Sequence, residues 1–94
     1  MTLAWPDKDP QEILDYKIDW DLMLAVGETI VTSTWSSPTN GPTLSNAQIL
    51  TGNRSTLIWA AGGTEGATYN IENTITTSAG RTIQRSVALR VATL

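Results

Sequence analysis

Apolar and polar positions alternate with period two in several short runs, and no long stretch shows apolar residues at helical spacing. The clearest run is Leu14-Asp15-Tyr16-Lys17-Ile18-Asp19-Trp20. Leu14, Tyr16, Ile18 and Trp20 fall on one face; Asp15, Lys17 and Asp19 fall on the other. Successive side chains of a strand point to opposite sides, so this pattern predicts a strand with one dry face. Residues 28–36 predict a second strand, with Val31 and Trp35 alternating against Ile30, Thr32 and Thr34. Residues 44–50 carry one or two short strands. Residues 54–60 carry another, with Leu57 and Trp59 on one face. Residues 67–77 and 81–92 form a hairpin across Ser78-Ala79-Gly80, whose glycine suits a left-handed position. Tyr69, Ile71, Asn73 and Ile75 share a face in its first arm. Ile83, Val87, Leu89 and Val91 share one in the second, interrupted by Arg85. Asn73 and Arg85 break these dry faces, which predicts that the face leaves the core near the hairpin tip. The apolar run from Leu22 to Val26, ahead of Gly27, fits either a helical turn or a kinked crossing.

Turn signals separate these runs at Asn40-Gly41-Pro42, Gly52-Asn53, Gly62-Gly63, Glu65-Gly66 and Ala79-Gly80. Fifteen of the 94 residues are Thr, which with Val, Ile, Trp and Tyr suits pleated, half-buried surfaces. About seven strands divided by such turns predict an all-β chain. The fold expected is a single immunoglobulin-like or fibronectin-like antiparallel β-sandwich. The glycine turn ahead of Thr68-Tyr69 fits a tyrosine corner, in which the phenol bonds back to upstream backbone. Trp20, Trp35 and Trp59 are assigned to the core. Residues 1–12 differ, because Pro6 and Pro10 push their predecessors toward extended backbone and nothing is periodic. They read as an extended N-terminal arm before a sandwich domain over 13–94. Trp5, in that arm, anchors a contact either to its own domain or to another chain.

The chain contains neither His nor Cys. That removes Ser-His and Cys-His catalysis, thiolate chemistry, disulfides and histidine metal sites, so the sequence argues against an enzyme. The net charge of −3 argues against a nucleic-acid binder, which presents basic stripes to phosphate. No run is apolar enough to span a membrane, and no signal peptide is evident, which points to synthesis in a cytoplasm. The charge is uneven. Residues 1–28 carry net −5 and residues 29–94 net +2, with all four Arg in the second part. Unlike faces of this kind suit subunits that meet head to tail, through contacts that weaken with salt.

Three constellations invite a chemical reading. Asp15, Asp19 and Asp21 would share a face of an extended strand and permit a weak Ca²⁺ site or an acid/base pair, although a solvated outer face explains them more simply. Gly62-Gly63-Thr64-Glu65-Gly66 lacks the Lys-Ser/Thr ending of a phosphate loop and reads as a turn between strands. Four Trp permit a carbohydrate-binding platform, provided two of them are exposed. None of these calls for a cofactor.

Trp5-Pro6-Asp7-Lys8-Asp9-Pro10, then Leu14-Asp15-Tyr16-x-Ile18-Asp19-Trp20 and Gly27-Glu28-Thr29-Ile30, resemble a family of small tailed-bacteriophage structural proteins. Gly62-Gly63-Thr64-x-Gly66-x-Thr68-Tyr69 and Thr76-Thr77-Ser78-Ala79-Gly80-Arg81 resemble the same family, in the same order. The resemblance implies an immunoglobulin-like virion protein, a fibre–tail adaptor or head–tail region component, with no catalytic residues. The role expected is an adaptor in the neck or tail that links tail or connector to fibres. Its partners would be other virion proteins and further copies around the particle axis. The alternatives are a capsid decoration protein and a carbohydrate-binding module. Trp5, Pro6, Lys8, Asp9 and Pro10 are expected to contact a neighbouring chain. Deleting residues 1–12 is then expected to spare the fold and to abolish incorporation into particles.

Overall fold

A computed structural model describes residues 3–94; Met1 and Thr2, at the start of the expected arm, lie outside the described residues. Seven strands form two sheets packed face to face. They are β1 (Leu3–Ala4), β2 (Ile13–Asp19), β3 (Ile30–Ser36), β4 (Thr43–Ile49), β5 (Ser55–Ala61), β6 (Thr68–Thr77) and β7 (Thr82–Arg90). One sheet has the order β1-β7-β6-β3 and the other β2-β5-β4. The chain changes sheet between β1 and β2, between β2 and β3, between β3 and β4, and between β5 and β6. This is the crossing pattern of an immunoglobulin-like sandwich. All pairs are antiparallel except β1, which runs parallel to β7 through Leu3↔Val87 and Ala4↔Ala88.

The core forms where the dry faces meet. Tyr16, Ala60, Tyr69, Ile71, Leu89 and Val91 pack together toward one pole. Ile18, Trp20, Leu24, Ile30, Ile75 and Val87 pack toward the other. Trp5 and Trp35 touch both clusters. The predicted tyrosine corner is present: the Thr64 backbone N–H donates to the Tyr69 hydroxyl at 2.9 Å. Gly63 sits against it with φ +99°, where a Cβ would come within 2.7 Å of Val91 Cγ2. That position therefore requires glycine for both backbone and space.

Three expectations need correction. Asn73 does not leave the core but is fully buried within it. Its Oδ1 accepts from Trp20 Nε1 at 3.2 Å and from Thr56 Oγ1 at 2.7 Å. Its Nδ2 donates to Ser33 Oγ and to the Thr34 carbonyl, both at 2.9 Å. All four bonding positions of the amide are filled, which is why a polar group can sit in the interior. Val31 and Trp35 do not share a face. A register shift between Ile30 and Thr32 leaves Val31 as the extra residue of a bulge, exposed, while Ile30 turns inward. Trp59 lies on the outer face of the three-stranded sheet, half-buried. Both parities of β5 are apolar, and its pairing with β2 decides between them. Tyr16↔Ile58 and Ile18↔Thr56 face inward, so Trp59 stands beside Asp15 on the outside.

Candidate functional site: the arm and the loop pole

The arm lies on its own domain. Past β1, Trp5 N donates to Ala88 O and Lys8 N to Arg90 O, both at 3.0 Å, and Ala92 N donates to Lys8 O at 2.8 Å. The arm therefore extends the sheet along β7. Trp5 stacks on Tyr16 with centroids 4.7 Å apart, and its indole N–H donates to the Lys17 carbonyl on the edge of β2 at 3.0 Å. Trp35 lies 6.0 Å away from it. The Trp5 side chain thus bridges the two sheets at the sandwich's open side.

Lys8 is 0% exposed. Its Nζ donates to Gly62 O at 2.7 Å and to Asp9 O at 2.9 Å, which ties the arm to the β5–β6 turn. Burial lowers its pKa, against the pull of Glu12 and Asp9. Asp9 organises the turn into β2. Its carboxylate accepts from Leu94 N at 3.0 Å and Gln11 N at 2.9 Å, and these bonds, Leu94 first, lower its pKa. Pro6 is exposed and Pro10 half-exposed. Of the five residues expected at a neighbouring chain, Lys8 is thus occupied wholly inside its own subunit. Trp5 is largely so, and Pro6, Asp9 and Pro10 keep free surface. Deleting residues 1–12 would strip β1, the Trp5 stack and the Lys8 bonds, so the expectation that the fold is spared is withdrawn.

Tyr16 shows a cost of this packing. Its hydroxyl is buried without a hydrogen-bond partner, and desolvation, with smaller contributions from Glu12 and Asp7, pushes its pKa up to about 12. Tyr16→Phe keeps the ring under Trp5 and removes the orphaned oxygen. Its melting temperature is expected to equal or exceed that of the parent, by up to ~1 kcal/mol of stability, in thermal denaturation followed by circular dichroism.

The opposite pole is built from the loops β2–β3, β4–β5 and β6–β7. The apolar run that fits either a turn or a crossing is a 3₁₀ turn, Asp21–Met23, followed by extended Leu24. Two arginines from the neighbouring loops clamp it. Arg54 Nη1 donates to Glu28 O at 2.8 Å and Ala25 O at 3.1 Å, Nη2 donates to Asp21 O at 3.0 Å, and Nε pairs with the Asp21 carboxylate. Arg81 donates from Nε and Nη2 to the two Glu28 oxygens at 2.9 and 2.6 Å, and from Nη2 to Met23 O at 2.8 Å. The Glu28 carboxylate also accepts from Thr77 Oγ1 at 2.6 Å and Ala25 N at 2.8 Å. Every lone-pair direction of this buried carboxylate is used. The clamp fixes the loop while Leu22 and Val26 stand fully exposed on it. The sequence marked this pole by an apolar run of undecided structure, by Asp21 among three carboxylates and by the motifs around Glu28 and Arg81, but not by the clamp that joins them.

Arg81, then Thr77 and the Ala25 N–H, hold the Glu28 pKa down at about 2, against an ordinary value of 4.5. A depressed carboxylate contributes stability above its unfolded pKa and loses it as the pH falls through the folded one. The melting temperature is therefore expected to fall between pH 4.5 and about 2 more steeply than in Glu28→Gln, which has no proton to gain there. Parallel slopes for the two proteins would contradict the clamp.

Asp15 and Asp19 lie exposed on the outer face of β2, and Asp21 is held by Arg54. Among the described residues no group of His, Cys, Asp or Glu is arranged to hold a metal ion. No described helix is long and apolar enough to cross a membrane. Only Trp20 of the three core-assigned tryptophans is wholly buried. Trp59 and Trp35 are half-buried at different places, and no pair of exposed, coplanar rings is formed among the described residues.

The described surface presents a sheet-bound leader and, at the far pole, clamped loops from which apolar side chains stand out. Comparison with curated proteins finds no match. Residues 8–90 match the family Gp77, described as podophage GP4 fiber-tail adaptor protein gp77. The match takes in almost all of the sandwich and both poles, and the chain belongs to this family of phage fibre-tail adaptors, structural components of the virion.

Proposed function

We propose that this protein works by binding alone, as a rigid spacer between the tail or connector and the fibres, in several copies around the particle axis. The observation that carries the reading is the family match over residues 8–90. The clamped loops and the sheet-bound arm support it, since a preorganised block loses little freedom when it docks. Assembly takes place in the host cytoplasm, and no catalysis is involved. Pro6, Asp9, Pro10 and the free edge of Trp5 face the neighbouring virion protein. Lys8 serves this surface from beneath, by holding the arm on the turn after Gly62.

Complementation of a phage lacking the gene tests this. Particles made without the protein are expected to carry no fibres, and particle imaging is expected to place the chain between tail and fibres. Density on the capsid surface would instead support a decoration protein and overturn the reading. Pro6→Asp, at an exposed position, is expected to shift the melting temperature by no more than ~2–4 °C while reducing incorporation. Normal incorporation of that variant would remove the arm from the contact.

A further inference from the structure

The two sheets are unequal on one flank. On the far flank β3 meets β4, and nearer the arm β7 packs on β2 through Val87 and Ile18. With strand orders β1-β7-β6-β3 and β2-β5-β4, β1 is left with no strand opposite it among the described residues, and β2 forms the open edge beneath. The Trp5 side chain, reaching across from the arm to Tyr16 and Lys17, fills part of that place. The rest is a groove of about 530 Å³, with Leu3, Trp5, Ile18, Met23 and Val87 as its apolar walls and Leu22 at its rim.

The edge of β2 in this groove carries unused backbone groups. Trp20 N donates to Arg54 O at 3.0 Å, in step with the β2–β5 register, so the even-numbered residues of β2 turn their N–H and C=O toward β5. The alternate residues of an antiparallel strand turn theirs the other way. Trp5 has taken the Lys17 carbonyl. The Lys17 N–H and both backbone groups of Asp19 have no hydrogen-bond partner among the described residues. The other long edges are bulged, β3 between Ile30 and Thr32 and β4 between Ser45 and Gln48, and bulges discourage the addition of a strand. β2 keeps an unbroken register from Ile13 to Asp19. Lys17, Asp19 and Arg85 also line the groove, so both signs are present and charge does not select an occupant. Backbone polarity does. Apolar walls beside a row of unpaired N–H and C=O groups match an extended chain, whose alternate side chains enter the groove.

The geometry points to a strand-acceptor site. A short extended segment of a partner virion protein pairs with the β2 edge at Asp19 and adds a strand to the three-stranded sheet beneath β1. Its alternate apolar side chains are buried against Leu3, Ile18, Met23 and Val87. The occupant is an extended segment and not a folded surface, because the place left open in the sandwich is that of a single strand and its polar atoms are backbone groups at strand spacing. Main-chain bonds supply affinity in such a contact, and the groove supplies a preference for large apolar residues at every second position. The inference rests on the adaptor reading only for the source of the segment, since that reading makes the partners other virion proteins.

The probes are short overlapping synthetic peptides that cover the tail, fibre and capsid proteins of the same phage, titrated into the full chain. A peptide with alternating apolar residues is expected to bind and to slow hydrogen exchange at the Asp19 amide by about tenfold. Asp19→Pro removes that N–H, and with it the side-chain bond to Asp21 N, but no bond between β2 and β5. It is expected to weaken binding about tenfold. N-methylation of the peptide at one set of alternate residues is expected to abolish binding and at the other set to spare it, a pattern independent of how well the protein variant folds. Binding without protection at Asp19, equal loss from both N-methylation patterns, or no binding by any of the peptides would overturn the site. A dimer in sedimentation that Asp19→Pro dissolves would give the groove to a second copy and overturn the assignment to a partner. A bound peptide from a capsid protein refutes the adaptor role and leaves the groove standing. Particle imaging that places the chain between tail and fibres, with no neighbouring segment along β2, refutes the groove alone.

Discussion

Removal of residues 1–8 is expected to lower the melting temperature sharply and not merely to blunt a contact with a partner. The truncated chain loses β1, the Trp5 ring on Tyr16 and both Lys8 bonds, and it opens one side of the sandwich. The stacked, half-buried indole and the two stranded carbonyls together amount to about 3 kcal/mol, or roughly 10–20 °C in a domain of this size. Single variants divide the effect. Trp5→Ala removes the stack and the cap on the Lys17 carbonyl; Lys8→Ala leaves the Gly62 and Asp9 carbonyls without their donor. Each is expected to cost ~1–3 kcal/mol in chemical denaturation. A truncated protein that melts with the parent would show that the arm is an accessory to the fold. Because the arm is structural, a failure of the truncated chain to enter particles would not by itself locate a partner contact. That is why Pro6→Asp, at the surface, is the informative variant for assembly.

A larger loss is expected at the centre. Trp20 is completely buried, and its indole N–H donates to Thr56 Oγ1 at 3.0 Å and to Asn73 Oδ1 at 3.2 Å. Trp20 and Thr56 belong to the three-stranded side, whereas Asn73, Ser33 and Thr34 belong to the four-stranded one. The network therefore joins the sheets through polar bonds in a dry interior, where an unmet donor is costly. Trp20→Ala is expected to cost ~3–5 kcal/mol, much of the stability of a small domain, and to leave little folded protein at 37 °C. Asn73→Leu keeps the volume approximately and still strands the Ser33 hydroxyl and the Thr34 carbonyl, at an expected ~2–4 kcal/mol. Thr56→Val, which leaves Trp20 its Asn73 acceptor, is expected to cost less. Denaturant titrations with unchanged m-values would establish this order. An Asn73→Leu protein as stable as the parent would show that the network is dispensable.

Much of the fold was legible because strands write period two into a sequence. Tyr16, Ile18 and Trp20 point inward as their spacing requires, and the hairpin of β6 and β7 turns through Gly80 in a left-handed conformation. The tyrosine corner was legible for a similar reason, since a glycine turn ahead of Tyr69 is a local arrangement. The errors arose where local pattern is ambiguous. Both faces of β5 are apolar, so composition could not orient Trp59 and only its pairing with β2 did. A bulge adds one residue and reverses parity, which turned Val31 outward. Asn73 looked like the edge of a dry face because its partners, Trp20, Ser33, Thr34 and Thr56, come from three other places in the chain.

Of the candidate site, the extended course of the arm was legible and its seat on the domain was not. Proline-bracketed residues with a lone Trp do form an extended leader, but their hold on β7, Tyr16 and Gly62 comes from segments far along the chain. The clamp at the other pole depends on Arg54 and Arg81 reaching a loop more than 25 residues earlier. By itself the sequence determined the all-β class, the inward sides of β2 and β6, the acidic leader, and a chemistry without His or Cys. Only the tertiary structure decided that Lys8 is sealed inside and that Leu22 and Val26 are held out. Strand period and composition are properties of neighbouring residues, whereas burial and exposure are set by which distant segments meet.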